Sequence, residues 1–256
     1  MASEETLELV VDRFLRPMPS LIFHQRTTPH VHSQILLGGS HVTPTPARSD
    51  LEPQASLEPS VLKRTHQQLV YLDINSLSLT EFLAAFHGLV AILLATILSL
   101  NHQSRNPSPP TDLLDLWSKW RQQLSVKLPR ELDSNLSAWQ AWYMAETARR
   151  SLLCVILIDG ILEVVEKGYC SYRPMVESMP FDARTGLWEA DTEQDWLTAL
   201  SQHGGEESSL ISWAEFIEAG DIEPRPKYDG MLQRMLLAIH YGKAAADLQD
   251  TKNCAS

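Results

Sequence analysis

The chain has 256 residues, enough for one large domain or two small ones; with 44% hydrophobic and 21% charged residues it carries the material for a substantial core, which excludes wholesale disorder. A net charge of −11 with only two adjacent basic pairs, Lys63-Arg64 and Arg149-Arg150, excludes a strong autonomous grip on nucleic acid, because displacing the counterions of a polyanion takes clustered Lys and Arg. Three widely spaced cysteines, Cys154, Cys170 and Cys254, exclude a disulfide framework and a zinc cluster; with an acidic opening, Met1-Ala2-Ser3-Glu4-Glu5, in place of a basic leader, the chain reads as intracellular.

Residues 1–43 read as the N-terminal part of a helical domain. Phe14, Leu15, Leu21, Ile22 and Phe23 surround Pro17 and Pro19, and Val31, Ile35 and Leu36 predict a short helix ending at Gly38-Gly39. Residues 44–60, rich in Pro and Ser and without periodicity, predict a flexible loop. The main helical region then runs over 61–250, with a tail at 251–256.

Ser78 and Glu81 have capping-box spacing ahead of an apolar run in which Phe82, Ala85, Phe86, Leu89, Val90, Leu93, Leu94, Ile97 and Leu98 recur at helical intervals. Phe82 to Leu100 is 19 residues, close to a bilayer span, but it lacks an aromatic belt and a flanking basic cluster, so a buried helix is expected in preference to a membrane segment. The helix should stop near Asn101, before a Pro-rich loop over Arg105–Pro110. A second helix is expected from about Thr111 to Gln123, with Leu113, Trp117, Trp120 and Leu124 on one face. The longest element, from about Leu136 to Lys167, would measure about 45 Å and end at Gly168. Its half over 151–165 is apolar nearly all round and is expected to be central. Residues 168–190 read as a loop anchored by Tyr169, Tyr172, Phe181 and Trp188. Gly204-Gly205-Glu206-Glu207 breaks the chain again. Ser212–Ala219 and Tyr228–Leu248 read as two further helices, the latter with Met231, Met235, Leu236, Ile239 and Ala246 on a face. No β-alternation of useful length occurs. The fold class is therefore all-α, an irregular multi-helix domain around a long central apolar helix.

The chain lacks a Gly-rich phosphate loop, a GxSxG elbow and an HExxH pair, so no catalytic, cofactor-binding or metal-ligating residue is assigned and no enzyme activity is expected. His30-x-His32 has no nearby Cys or carboxylate to complete a metal site. Cys154, in an apolar run, reads as a core thiol. Asp159, inside CVILIDGILEVV, must find a partner or take up a proton, and a structural hydrogen bond or ion pair is expected. Glu146 with Arg149 and Arg150 has the spacing of weak ion pairs on a solvated helix face. Trp139, Trp142 and Tyr143 form an aromatic stripe that reads as core.

One succession of blocks resembles a known family. Trp142, Glu146 and the pair Arg149-Arg150 open a long apolar helix that ends at Gly168; Pro180-Phe181, Leu187-Trp188 and Trp196 follow in order. This is similar to the regulatory region, the middle homology region, of fungal zinc binuclear cluster transcription factors. The apolar run at Val90–Leu98, the Trp-bearing segment Leu114–Leu124 and the opening Phe14–His24 resemble earlier parts of the same region. The resemblance covers roughly residues 10–245. It implies an α-helical regulatory domain in which Trp142, Glu146, Arg149, Arg150, Pro180, Phe181, Leu187, Trp188 and Trp196 are structural motif positions.

It further implies transcription regulation in the nucleus through a protein partner, namely a DNA-binding transcription factor, with DNA reached only indirectly and no membrane involved. Many members regulate secondary-metabolite gene clusters. The chain departs from the family in lacking the six clustered cysteines that hold two zinc ions, so a regulatory part without its own DNA-reading module is expected. The competing reading is a small-molecule-binding or enzymatic protein of a biosynthetic pathway, which predicts an apolar pocket with convergent polar groups near Asp159 or His240.

Overall fold

A computed structural model describes residues 9–39, 59–100, 109–128, 132, 134–184, 186–203, 210–219 and 230–242. The chain divides into two compact units, one of Met18–Val176 and one combining Met1–Pro17 with Glu177–Ser256. The expected loop over 44–58, most of the Pro-rich loop after Asn101, the Gly204–Glu207 break, Ala246, Leu248 and the tail lie outside the described residues.

The first unit is built from helices α1 (Met18–Phe23), α2 (Ser33–Gly38), α3 (Pro59–Tyr71), α4 (Leu79–Leu100), α5 (Thr111–Lys127) and α6 (Ala138–Lys167), and its boundary at Val176 falls within the short α7 (Arg173–Ser178). Helix α4 forms because a run of 22 residues holds no proline and, apart from Glu81, no charge. Its start is fixed by the capping box read from the sequence. Ser78 Oγ accepts the Glu81 N–H at 3.3 Å, and Glu81 Oε2 accepts the Ser78 N–H at 2.7 Å.

Helix α4 is the hub of this unit and touches α1, α2, α3, α5 and α6. Phe82, Phe86, Leu89 and Leu93 are fully buried. Although α4 is long and apolar enough to cross a membrane, 83% of its most apolar window is covered by protein, as in a core helix. The close fit is visible at Gly39, where an added Cβ would lie 2.3 Å from the Ala84 Cβ. From α5, Trp120 stacks on Phe82 and Trp117 on Phe86, each with ring centroids 5.5 Å apart. Such aromatic pairs add to the large apolar area these rings bury.

Helix α6 begins at Ala138 because Ser137 and Gln140 form a second capping box, and ends at Gly168, which adopts φ 78° and donates to the Val164 carbonyl. Its apolar half is covered unevenly. Leu153, Cys154, Ile156 and Ile158 are buried, while Leu152, Val155, Leu157 and Ile161 are only half-buried. The hub position belongs to α4, whose small residues Ala84, Ala85 and Ala91 admit close neighbours on several sides.

In the second unit a single π-type turn spans Val11–Leu15. Strand β1 (Pro180–Asp182) pairs antiparallel with β2 (Leu210–Ser212), with Phe181 opposite Ile211. Helices α8 (Glu193–Gln202), α9 (Trp213–Ala219) and α10 (Met231–Tyr241) complete it. The segment expected as a loop over 168–190 thus contains α7 and β1. Three-residue strands are too short to show alternation, so they were invisible to periodicity. Helices α3 and α8 also escaped the pattern, because they bury only Thr65 and Leu69, and only Trp196, respectively. The fold class is all-α, with this one small antiparallel pair among the described residues.

Candidate functional site

The candidate positions nearest one another in sequence, Glu146, Arg149 and Arg150, lie on one face of α6 because residues three and four apart are helical neighbours. Glu146 Oε1 accepts a hydrogen bond from Arg150 Nε at 2.7 Å, and Glu146 Oε2 accepts one from Arg149 Nε at 2.9 Å. Arg150 Nη1 donates to the Pro29 carbonyl at 3.2 Å. The Glu146 and Arg150 side chains are 0% and 1% exposed, and Arg149 is 26% exposed. The expectation of a solvated face is therefore corrected. Spacing alone cannot tell a surface ion pair from a buried one, and here the segment between α1 and α2 covers the pair.

That segment is folded on itself. Thr28 Oγ1 accepts the N–H groups of His30 and Val31 at 3.2 and 3.1 Å, and Thr27 Oγ1 accepts the Ser33 N–H at 3.1 Å. The turn aims the Pro29 carbonyl at Arg150 and buries His30 beside it. Burial, then the Arg150 guanidinium, hold the His30 imidazole down to about 3. His87, the polar residue inside the apolar run of α4, meets Ser151 Oγ through Nε2 at 2.9 Å. Burial, then the neighbouring His30, hold His87 down to about 3 as well. The Nδ1 atoms of both rings have no hydrogen-bond partner among the described residues, which adds to the cost of protonation there.

His32 turns away from its sequence partner His30. Its Nδ1 accepts the Gln34 N–H at 3.2 Å and caps α2, while its ring stacks on Tyr143 at 5.3 Å. Trp139 meets Tyr143 edge-on at 5.3 Å. The stripe of Trp139, Trp142 and Tyr143 is half-buried, so the expectation that it forms core is also corrected. Cys154 is buried, and burial pushes its thiol well above the usual range, away from nucleophilic use.

Asp159 has the structural partners expected of a carboxylate in an apolar helix. It accepts the Trp117 indole N–H at 2.9 Å and pairs with Arg121. His240, the other position where a ligand pocket was considered, is exposed and packs edge-on against Tyr241.

The later motif block lies in the second unit. Phe181, Leu187, Trp188 and Trp196 are buried, while Pro180 is exposed. Phe181 meets Phe216 edge-on at 5.6 Å. Asp182 pairs with Arg184 at 2.6 Å, both nearly fully buried. Gly186, at φ 80°, turns the chain into Leu187-Trp188. These residues pack and brace, and Glu146, Arg149 and Arg150 do the same in the first unit. Sequence reasoning missed His30 and His87 as members of the Arg150 cluster. A lone histidine inside a 22-residue apolar helix was the available signal, since such a residue must find a polar neighbour.

No family model matches the chain, and no solved structure matches it. Over 104 residues, 39% of its length, it is 29% identical to Transcription factor gsfR2 of Penicillium aethiopicum, and the match spans 25% of that protein. Over that stretch the chain is related to a fungal transcription factor.

Proposed function

We propose that this chain is a non-catalytic regulator of transcription that works in the nucleus through a protein partner, a DNA-binding transcription factor, and reaches DNA only through that partner. The observation that carries this reading is the relationship to a transcription factor over 104 residues. The chemistry of the site supports it. The charged groups that the resemblance singles out hold one another inside the fold, and the buried thiol is suppressed, so none is offered to a substrate. The net charge of −11 weighs against an independent hold on DNA. The finer reading is a middle homology region serving a secondary-metabolite gene cluster. It rests on the succession Trp142, Glu146, Arg149-Arg150, Pro180-Phe181, Leu187-Trp188 and Trp196.

Fluorescence anisotropy of labelled promoter fragments with the purified chain, at physiological salt and against a scrambled fragment, tests the reading. Binding no tighter to promoter than to scrambled DNA is expected. Tight, sequence-selective binding would overturn the claim that DNA is reached through a partner.

A further inference from the structure

Helix α3 is chemically unlike the rest of this acidic chain. Its sequence, PSVLKRTHQQLVY, holds Lys63, Arg64 and His66 and no acidic residue. His66 lies 3.9 Å from Asp112. Lys63 and Arg64 are exposed and have no ion-pair partner among the described residues. Arg64, Gln67, Gln68 and Tyr71 recur at helical spacing and form one exposed stripe. Tyr71 is 88% exposed and its neighbour Val70 47%, an unusual outlay of apolar surface at one helix end.

The stripe is one wall of a groove of about 550 Å³; the rest is supplied by Leu72, Leu77 and Glu81. Each wall is fixed from behind. Thr65 and Leu69 bury the inner face of α3. Lys127 Nζ donates to the Asn75 and Leu77 carbonyls at 3.0 and 2.7 Å, which pins the turn between α3 and α4. Glu81 is held in the capping box of α4. A groove held in this way needs little ordering when it is filled.

We propose that this groove docks a short acidic segment of a partner protein, a carboxylate against Arg64, with Lys63 next to it on α3 outside the lining, and an aliphatic or aromatic side chain over Tyr71, Leu72 and Leu77. Charge selects the occupant. In a chain of net charge −11, α3 carries Lys63 and Arg64 and no acidic residue, so this wall is the side that attracts a carboxylate. Glu81 on the opposite wall sets the polarity, because it disfavours a second carboxylate there. The inference extends the partner-mediated reading and depends on it only for its biological meaning, since peptide binding is measured on the purified chain without DNA.

The test is anisotropy of a fluorescein-labelled peptide of about 12 residues that alternates Asp or Glu with Leu or Phe, titrated with the full chain. Two control peptides replace the acids by Lys or the apolar residues by Ser. Saturable binding of the first peptide alone is expected, weakened about tenfold by Arg64→Glu and several-fold by Tyr71→Ala. Both residues are exposed, and circular dichroism verifies that the variants fold. Absence of saturable binding, or binding indifferent to both substitutions, overturns the proposal. So does self-association in sedimentation that Tyr71→Ala abolishes, which would assign the groove to a second copy of the chain. Sequence-selective DNA binding, by contrast, would sink the claim that DNA is reached only through a partner and leave the peptide result standing.

Discussion

Arg149-Arg150 and Lys63-Arg64 are the two adjacent basic pairs of the chain, and their surroundings differ in every respect. The two arginines of the first pair share the Glu146 carboxylate, with Arg150 sealed under the Pro29 turn and Arg149 partly exposed. The second stands exposed on α3, beside Tyr71 and a groove. A buried charge must be matched where it sits, so the first pair serves the fold. An exposed charge beside uncovered apolar surface remains available to another molecule, so the second pair is free to serve recognition. The sequence resemblance points to the first pair, and the candidate contact surface lies at the second.

The largest effect expected from breaking this contrast is in the sealed cluster. Glu146→Ala strands the Arg150 charge inside the protein and should cost about 3–5 kcal/mol in urea unfolding. Replacing both partners, Glu146→Leu with Arg150→Met, should recover most of that loss. A cost below about 1 kcal/mol for Glu146→Ala would mean that the pair does not hold the unit together.

Acid should open the same cluster. His30 and His87 stay neutral in the folded chain down to about pH 3, whereas unfolded histidine takes up a proton below about 6.5. The unfolded state therefore binds more protons in that window, and stability is lost as pH falls through it. At pH 5 the loss should be about 2 kcal/mol for each histidine, measured by urea unfolding at pH 7.5 and 5. His87→Asn should remove roughly half of this histidine-linked pH dependence. An unchanged dependence would place the acid sensitivity elsewhere.

Asp159→Asn keeps an acceptor for Trp117 and loses only the charge facing Arg121, which is 38% exposed. About 1 kcal/mol of destabilisation is expected in the same assay, and a value near that of Glu146→Ala would show that Asp159 is as deeply committed a carboxylate as Glu146. The smallest effects belong to the open pair. Arg64→Glu and Tyr71→Ala should each change stability by less than about 0.5 kcal/mol. A larger change would mean that the Arg64 and Tyr71 side chains are bound into the fold and do not form a free surface.

The elements legible in the sequence are those with long, one-sided or all-round apolar patterns and explicit stops. Helix α4 with its Ser78–Glu81 cap, α5 with its tryptophan face and α6 ending at Gly168 all follow from such signals. Helix α3 was hidden because two buried residues, Thr65 and Leu69, do not make a period. The strands were hidden by their length of three residues. The depth of Glu146 and Arg150 was hidden for another reason. Their cover comes from residues 28–31, more than a hundred positions away, and Arg150 reaches the Pro29 carbonyl across 121 residues of sequence. Periodicity reports which residues share a face and not what lies against that face.

The central claim, that the chain regulates transcription through protein contacts, is tested most directly by tethering. The full chain is fused to an unrelated DNA-binding domain and placed upstream of a reporter in a fungal cell, with the DNA-binding domain alone as control. The account predicts that the fusion changes reporter expression and that Arg64→Glu with Tyr71→Ala removes the change at equal protein level. Expression equal to the control with the unmodified chain would contradict it.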